Sequence, residues 1–254
     1  MKIRVVTAAV ILLSAAVAVG GGLPGVSSLS AESIKFSDPI KISTRVPASR
    51  PTITLAKDGS GNIYAAWVEG EPSEIVLRRA KIEIKDGKPE VVWEPALDKE
   101  PINVSGTPKA SRAPALAVDA RGTLFVVWED DGGKEGKADI FLKYSTDKGA
   151  TFPSELNLSD NSGVSQKPAI AAGGPGDLFV VWADNTPNPE TNPSGVSQIL
   201  LRRLIASGEP ITIAPSDTFV ISLSPISLAA PAARPDEPAF SPAIAADDQG
   251  RSFV

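Results

Sequence analysis

Three carboxylates stand at matched positions, Glu69, Asp130 and Asp184, each two residues after a tryptophan (Trp67, Trp128, Trp182), with Glu129, Asp131 and Asn185 beside them. Bases precede the apolar segments that lead to them: Arg45, Arg50, Lys109, Arg112 and Lys167. Acids brought next to bases could coordinate calcium, hold a sugar or grip a protein partner. They could equally be salt bridges tying neighbouring repeats together. The run Glu129-Asp130-Asp131-Gly132-Gly133 shares only its acidity with a hard-cation loop, since it lacks the ligand spacing of one, and no metal or other cofactor is assigned.

What the chain lacks narrows the chemistry further. It contains no cysteine and no histidine, which removes disulfides, thiolate metal sites, a cysteine nucleophile, His-based triads and the usual zinc sites within this stretch. A net charge of −5, with the acids spread along the chain, leaves no electrostatic footprint for nucleic acid.

The elements that must position these residues are written four times. Pro51-Thr-Ile-Thr leads to Ile63-Tyr-Ala-Ala-Trp67, Pro114-Ala-Leu-Ala to Leu124-Phe-Val-Val-Trp128, Pro168-Ala-Ile-Ala to Leu178-Phe-Val-Val-Trp182, and Pro242-Ala-Ile-Ala to Phe253-Val254. The runs are short, rich in Val, Ile, Phe and Trp, and bounded by turn residues, which reads as strands. Asp58-Gly-Ser-Gly61, Asp119-Ala-Arg-Gly122, Gly173-Gly-Pro-Gly176 and Asp247-Asp-Gln-Gly250 read as hairpin turns whose acids are structural. A third aligned run follows each tryptophan, at Glu74–Arg78, Asp139–Lys143 and Gln198–Arg202, and a fourth at Ile102–Ser105 and Leu156–Ser159, with Val220–Ser224 as a further candidate. Arg78, Arg79, Lys143, Arg202 and Arg203 recur on the third run and read as a solvated strand face. The tryptophans, placed identically at strand ends, read as packing residues, and Trp93 falls outside the pattern.

Four antiparallel strands per unit fit the blades of a β-propeller, an all-β fold that limits exposed sheet edges by radial repetition. About three and a half blades are expected, beginning near Pro51, Pro114, Pro168 and Pro242, where a closed ring of six or more would need more chain. An N-terminal strand at 34–43, containing Ile40-Lys-Ile-Ser43, is expected to complete the last blade. The Pro-rich segment from Ser222 to Pro242 reads as a long connection between blades. Propeller geometry puts the loops between second and third strands, and those between blades, on one face. The candidate ligand face is therefore Arg45, Arg50, Glu69, Arg112, Glu129, Asp130, Lys167 and Asp184.

Residues 1–31 have the layout of a secretory signal: two positive charges in Met1–Arg4, an apolar run from Val5 to Val19, then glycines and small residues up to a cleavage point near Ser30 or Ala31. The expectation is a secreted or cell-envelope protein whose partial propeller spans 32–254. It would touch a membrane only if that segment stays uncleaved as an anchor.

After the third strand of the second unit comes Ser145-Thr-Asp147-Lys-Gly149-Ala-Thr151-Phe152. This matches an Asp-box, and the chain resembles the sialidase-like, BNR-repeat propellers across nearly all of its length after residue 31. In that family the box is a folding element remote from the ligand. Its equivalents here, Arg79–Gly87 and Ala206-Ser-Gly208, have decayed. Sialidases of this kind clamp a carboxylate with three arginines and use a tyrosine–glutamate nucleophile with an aspartate acid/base. Arg45-Val-Pro47 and Arg50-Pro51 loosely match the first arginine motif, and Arg50 alone is worth carrying over. Where the enzymes place an arginine and an aspartate, this chain has Glu69 and Glu71, which would repel a carboxylate. Tyr64 and Tyr144 align with framework positions. The resemblance thus implies a binding or scaffold module for a carbohydrate or protein ligand at the cell envelope, with no catalytic residue assigned. The alternative is an exo-glycosidase of the sialidase type.

Overall fold

The computed structural model describes residues 40–45, 53–132, 137–174, 176–190, 192–208, 212–222, 242–246 and 252–253. Two units separate, 1–42 and 43–254. In the first, only residues 40–42 are described; the expected signal at 1–31 and the strand expected from 34 to 39 lie outside the described residues, and residues 41–43 carry no strand. The second unit is all-β, with no helix among the described residues.

Three antiparallel sheets follow one another. The first contains β1 (Ile53–Lys57), β2 (Ile63–Glu69), β3 (Glu74–Lys85), β4 (Lys88–Glu94) and β5 (Ile102–Asn103), the last pairing with β3. The second contains β6 (Ser111–Val118), β7 (Leu124–Asp130), β8 (Asp139–Ser145) and β9 (Glu155–Asn157), and the third β10 (Ser165–Ala172), β11 (Asp177–Asp184), β12 (Gln198–Ser207) and β13 (Thr212–Ser222), each in sequential order. A two-stranded pair, β14 (Ala245–Ala246) with β15 (Ser252–Phe253), begins a fourth. The turns between the first two strands place Gly61, Gly122 and Gly176 at φ of 84°, 83° and 84°, where only glycine is at ease.

These sheets are propeller blades rather than the layers of a sandwich. The first strands of successive sheets, β1, β6, β10 and β14, lie against one another, and contact between sheets thins from the first strand to the third. Such a fan converges at its inner strands. Its second strands are buried on both faces, which explains why β7 is apolar without alternation. Leu124, Val126 and Trp128 pack toward the first blade with Tyr64, Ala66, Ile75 and Leu77. Phe125 and Val127 pack toward the third with Ile170, Leu178, Val180 and Trp182. Trp128 is fully buried and stacks on Phe141, with ring centroids 6.1 Å apart; removing an indole of roughly 200 Å² from water contributes about 5 kcal/mol before ordering costs.

Two sequence expectations are corrected. The segment 79–87 is not a decayed Asp-box: β3 runs on to Lys85, turns through Asp86 and Gly87 at φ of 51° and 75°, and pairs back with β4. Two consecutive positive φ values make a type I′ hairpin. Trp93 on β4 is buried by that extension, and its indole nitrogen has no hydrogen-bond partner among the described residues.

The recurring bases of the third strand do not form a solvated face either. Arg78 is 0% exposed and donates to the carbonyl oxygens of Pro95 (2.6 Å) and Ala96 (2.7 Å). Lys143 Nζ reaches back to the preceding blade, donating to the carbonyls of Val104 (2.9 Å) and Ser105 (2.8 Å). Arg202 does the same to Leu158 O at 2.5 Å. A long cationic stem crossing an apolar sheet interface can end on carbonyls left free at the neighbour's outer strand, which fixes blade spacing. Arg79 and Arg203 keep the more ordinary role, pairing with Glu94 and Asp177.

Candidate functional site

The loops expected to form a ligand face carry two kinds of acid. Those that recur are buried and fully engaged. Asp130 Oδ2 accepts from Ser111 Oγ (2.7 Å), Thr107 Oγ1 (2.9 Å) and the Trp128 indole (3.3 Å), and its Oδ1 from the Gly132 amide (2.8 Å). Asp184 repeats the set with Ser165 Oγ (2.6 Å), Asn161 Nδ2 (2.7 Å), the Trp182 indole (3.3 Å) and the Thr186 amide (2.8 Å). Glu69 takes the Trp67 indole at 2.6 Å, Thr44 through its amide and hydroxyl at 3.0 Å each, and the Arg45 amide. Each carboxylate thus staples the chain entering a blade to the end of that blade's second strand. Their exposures of 2%, 1% and 1% leave little to offer a ligand.

Sequence reasoning singled out these acids but not their partners. Ser111 and Ser165 stand three residues before the aligned prolines Pro114 and Pro168, and that repeated spacing was the available signal. A second staple pairs Ser105 with Glu74 and Ser159 Oγ with Asp139 (2.9 Å), tying the segment after the fourth run to the third strand in the first two blades.

The other acids break the repeat. Where the first and third blades have Val68 and Ala183, the second has Glu129; where they have Gly70 and Asn185, it has Asp131; and against Gln166 of the third blade it has Arg112. These three meet. Arg112 Nη1 and Nη2 donate to the two oxygens of Asp131 at 2.9 and 2.7 Å, and Nη1 lies 3.9 Å from Glu129 Oε1. Glu129 Oε2 accepts the amide of Lys167, in the next blade, at 3.0 Å. Burial pushes the Glu129 carboxyl above the usual range, against the opposing pull of the Lys167 amide and Arg112. The paired hydrogen bonds to Asp131 hold the Arg112 guanidinium more firmly protonated than usual.

The backbone at this point is unusual. β6 and β10 each carry a register break, between Arg112 and Ala115 and between Gln166 and Ala169. Inside the breaks Ala113 and Lys167 adopt φ of 48° and 53°, each directly before a proline. Non-glycine residues in this region cost free energy, and bulges of this kind re-aim side chains at strand ends. The result is a charged cluster at the boundary of the second and third blades, with the Arg112 side chain 43% and the Asp131 side chain 31% exposed.

The remaining candidates are placed as follows. Arg45 is largely exposed and pairs with Glu100 at 3.2 Å, on the first blade. Arg50 lies outside the described residues. For a metal, the acids diverge: Glu129 faces Lys167, Asp130 faces Ser111 and Asp131 faces Arg112. Among the described residues no three acidic side chains converge.

The Asp-box is a closed turn. Asp147 accepts from Ser145 Oγ (2.6 Å), the Thr151 amide (2.9 Å) and Thr151 Oγ1 (2.6 Å), while Ser145 Oγ accepts the Gly149 amide (2.7 Å). Partial burial raises the Asp147 carboxyl, but the hydrogen bonds outweigh it and leave it below its ordinary value. Phe152 packs against the core shared by the first two blades.

No protein-family model matches the chain, and no curated protein sequence does either. Among solved structures, it is similar to the GH93 α-L-arabinofuranosidase of Fusarium graminearum in complex with arabinobiose, at 13% identity and a TM-score of 0.42, covering 71% of this chain and 54% of that one. It is also similar to a Hadza microbial sialidase, at 15% identity and a TM-score of 0.41, covering 68% of this chain and 38% of that one. The chain therefore spans about half or less of the length of these structures.

Proposed function

We propose that this chain is part of an exported, sialidase-like propeller that acts as a binding or scaffold module at the cell envelope, with a carbohydrate or protein ligand seated on the face that carries the Arg112–Asp131–Glu129 cluster. The observation behind this reading is the division among the acids. Glu69, Asp130 and Asp184 are committed to indole, hydroxyl and amide donors, whereas Arg112 and Asp131 are partly exposed, at positions that break the repeat. Binding of the chain lacking residues 1–31 to immobilised glycans and envelope proteins, compared with Arg112→Ala, tests it. Loss of a ligand in the variant is expected; retention of every ligand would refute the placement.

One observation favours a second reading, an exo-acting glycoside hydrolase. Glu129 is buried, and burial raises its carboxyl against the lowering pull of the Arg112 guanidinium, which suits a group that delivers a proton. Fluorogenic sialosides and arabinofuranosides assayed with wild type, Glu129→Gln and Arg50→Ala distinguish the two. Turnover abolished by Glu129→Gln would establish the enzyme.

A further inference from the structure

We infer that the cluster of Arg112, Asp131 and Glu129 receives a neutral sugar through its hydroxyls rather than an acidic one through a carboxylate. The inference rests on the binding reading above and names the ligand class for that site. Its ground is the way the charges are already spent. A guanidinium has five N–H donors and an ionised carboxylate accepts about four hydrogen bonds, yet only two are exchanged between Arg112 and Asp131. Donor and acceptor capacity therefore remain side by side on one partly exposed pair. Adjacent hydroxyls, each both donor and acceptor, match that arrangement.

An incoming carboxylate meets the opposite situation. It would have to displace Asp131 from a bidentate pair at 2.9 and 2.7 Å, and would do so with Glu129 only 3.9 Å from the same guanidinium. Two fixed acids against Arg112 and Lys167 leave no excess positive charge to offset that repulsion. The repeat supports a ligand role for the pair. Residues that brace each blade internally recur in register, as Asp130 and Asp184 do with their serines, whereas Arg112, Glu129 and Asp131 are found together in the second blade and not at the matched positions of the first and third. Glu129 accepts the Lys167 amide across the blade boundary and lies 3.9 Å from the guanidinium.

The experiment is calorimetric titration of the full chain with neutral disaccharides (arabinobiose, cellobiose, mannobiose) and acidic oligosaccharides (sialyllactose, digalacturonate), at about 50 and about 500 mM salt. Neutral-sugar binding should change less than about twofold with salt, because no net charge is neutralised. Arg112→Ala and Asp131→Asn should each weaken it about tenfold or more, with the circular dichroism spectrum unchanged. Preference for the acidic sugars with a steep salt dependence would overturn this inference while leaving the binding module intact. Neutral binding that survives both substitutions would overturn the placement. Absence of any sugar binding would overturn the inference and the carbohydrate form of the proposed function together.

Discussion

Asp184→Ala is the substitution whose cost follows most directly from the geometry. The carboxylate accepts from Ser165 Oγ, Asn161 Nδ2, Trp182 Nε1 and the Thr186 amide, and Ser165 and Trp182 are 0% and 1% exposed, so water cannot replace the lost acceptor for them. An unsatisfied buried donor costs about 1–3 kcal/mol, and two such donors plus the loss of charge-assisted bonds to the others give about 3–5 kcal/mol in all. For a domain of this size that lowers the thermal midpoint by roughly 6–20 °C. Asp184→Asn keeps one carbonyl acceptor and the shape, and should cost about 1–2 kcal/mol. Urea titration followed by tryptophan fluorescence, with calorimetry for the midpoint, measures both. A cost below about 1 kcal/mol for the alanine variant, combined with loss of ligand binding, would refute the assignment of this acid to the scaffold.

Three further outcomes are expected. Gly149→Ala forces a side chain to φ +82° with its Cβ 2.9 Å from Leu77 Cδ2 and should cost roughly 2–4 kcal/mol, whereas Gly87→Ala, at φ +75° with nothing within 4 Å, should cost about 1 kcal/mol; equal costs in denaturant titration would contradict the packing of the Asp-box. Arg202→Met removes the bond to Leu158 O while keeping most of the stem and should destabilise by about 1–3 kcal/mol, a change absent if the third-strand bases were solvated. Asp147 has a folded-state carboxyl below its unfolded value, so its contribution is present above the ordinary aspartate range and disappears as pH falls through the folded value; the stability gap between wild type and Asp147→Asn should therefore close on acidification, and a gap constant from neutral pH down to about 2 would count against it.

Most of the architecture was legible because a propeller uses the same side chains at the same strand positions in every blade. Isoleucine or leucine at 53, 116 and 170, and tryptophan at 67, 128 and 182, mark strands that must pack against equivalent neighbours. Single insertions were harder to see. Asp86-Gly87 is a strong hairpin signal, but its place after the third strand made it resemble a worn Asp-box, and β4 went unseen. The bases at 78, 143 and 202 looked solvated because strand alternation separates two faces without saying which is covered by another sheet. Only the blade stacking shows that Lys143 and Arg202 end on carbonyls of the sheet before them. At the site, the repetition that exposed the fold placed the recurring acids Glu69, Asp130 and Asp184 on the candidate face beside Arg112 and Glu129, and alignment alone does not show that the recurring ones are buried among their donors. The departures at Arg112, Glu129 and Asp131 were visible in the aligned repeats, but their convergence depends on bulges at Ala113 and Lys167 that spacing does not reveal.

The separation of the recurring staples from the Arg112 cluster is tested most directly by measuring thermal midpoint and neutral-disaccharide affinity together for Asp184→Ala and Arg112→Ala. The midpoint should fall sharply in Asp184→Ala alone. Affinity per folded molecule should fall in Arg112→Ala alone. The reverse pattern, a stable Asp184→Ala protein that no longer binds beside an Arg112→Ala protein that binds normally, would contradict it.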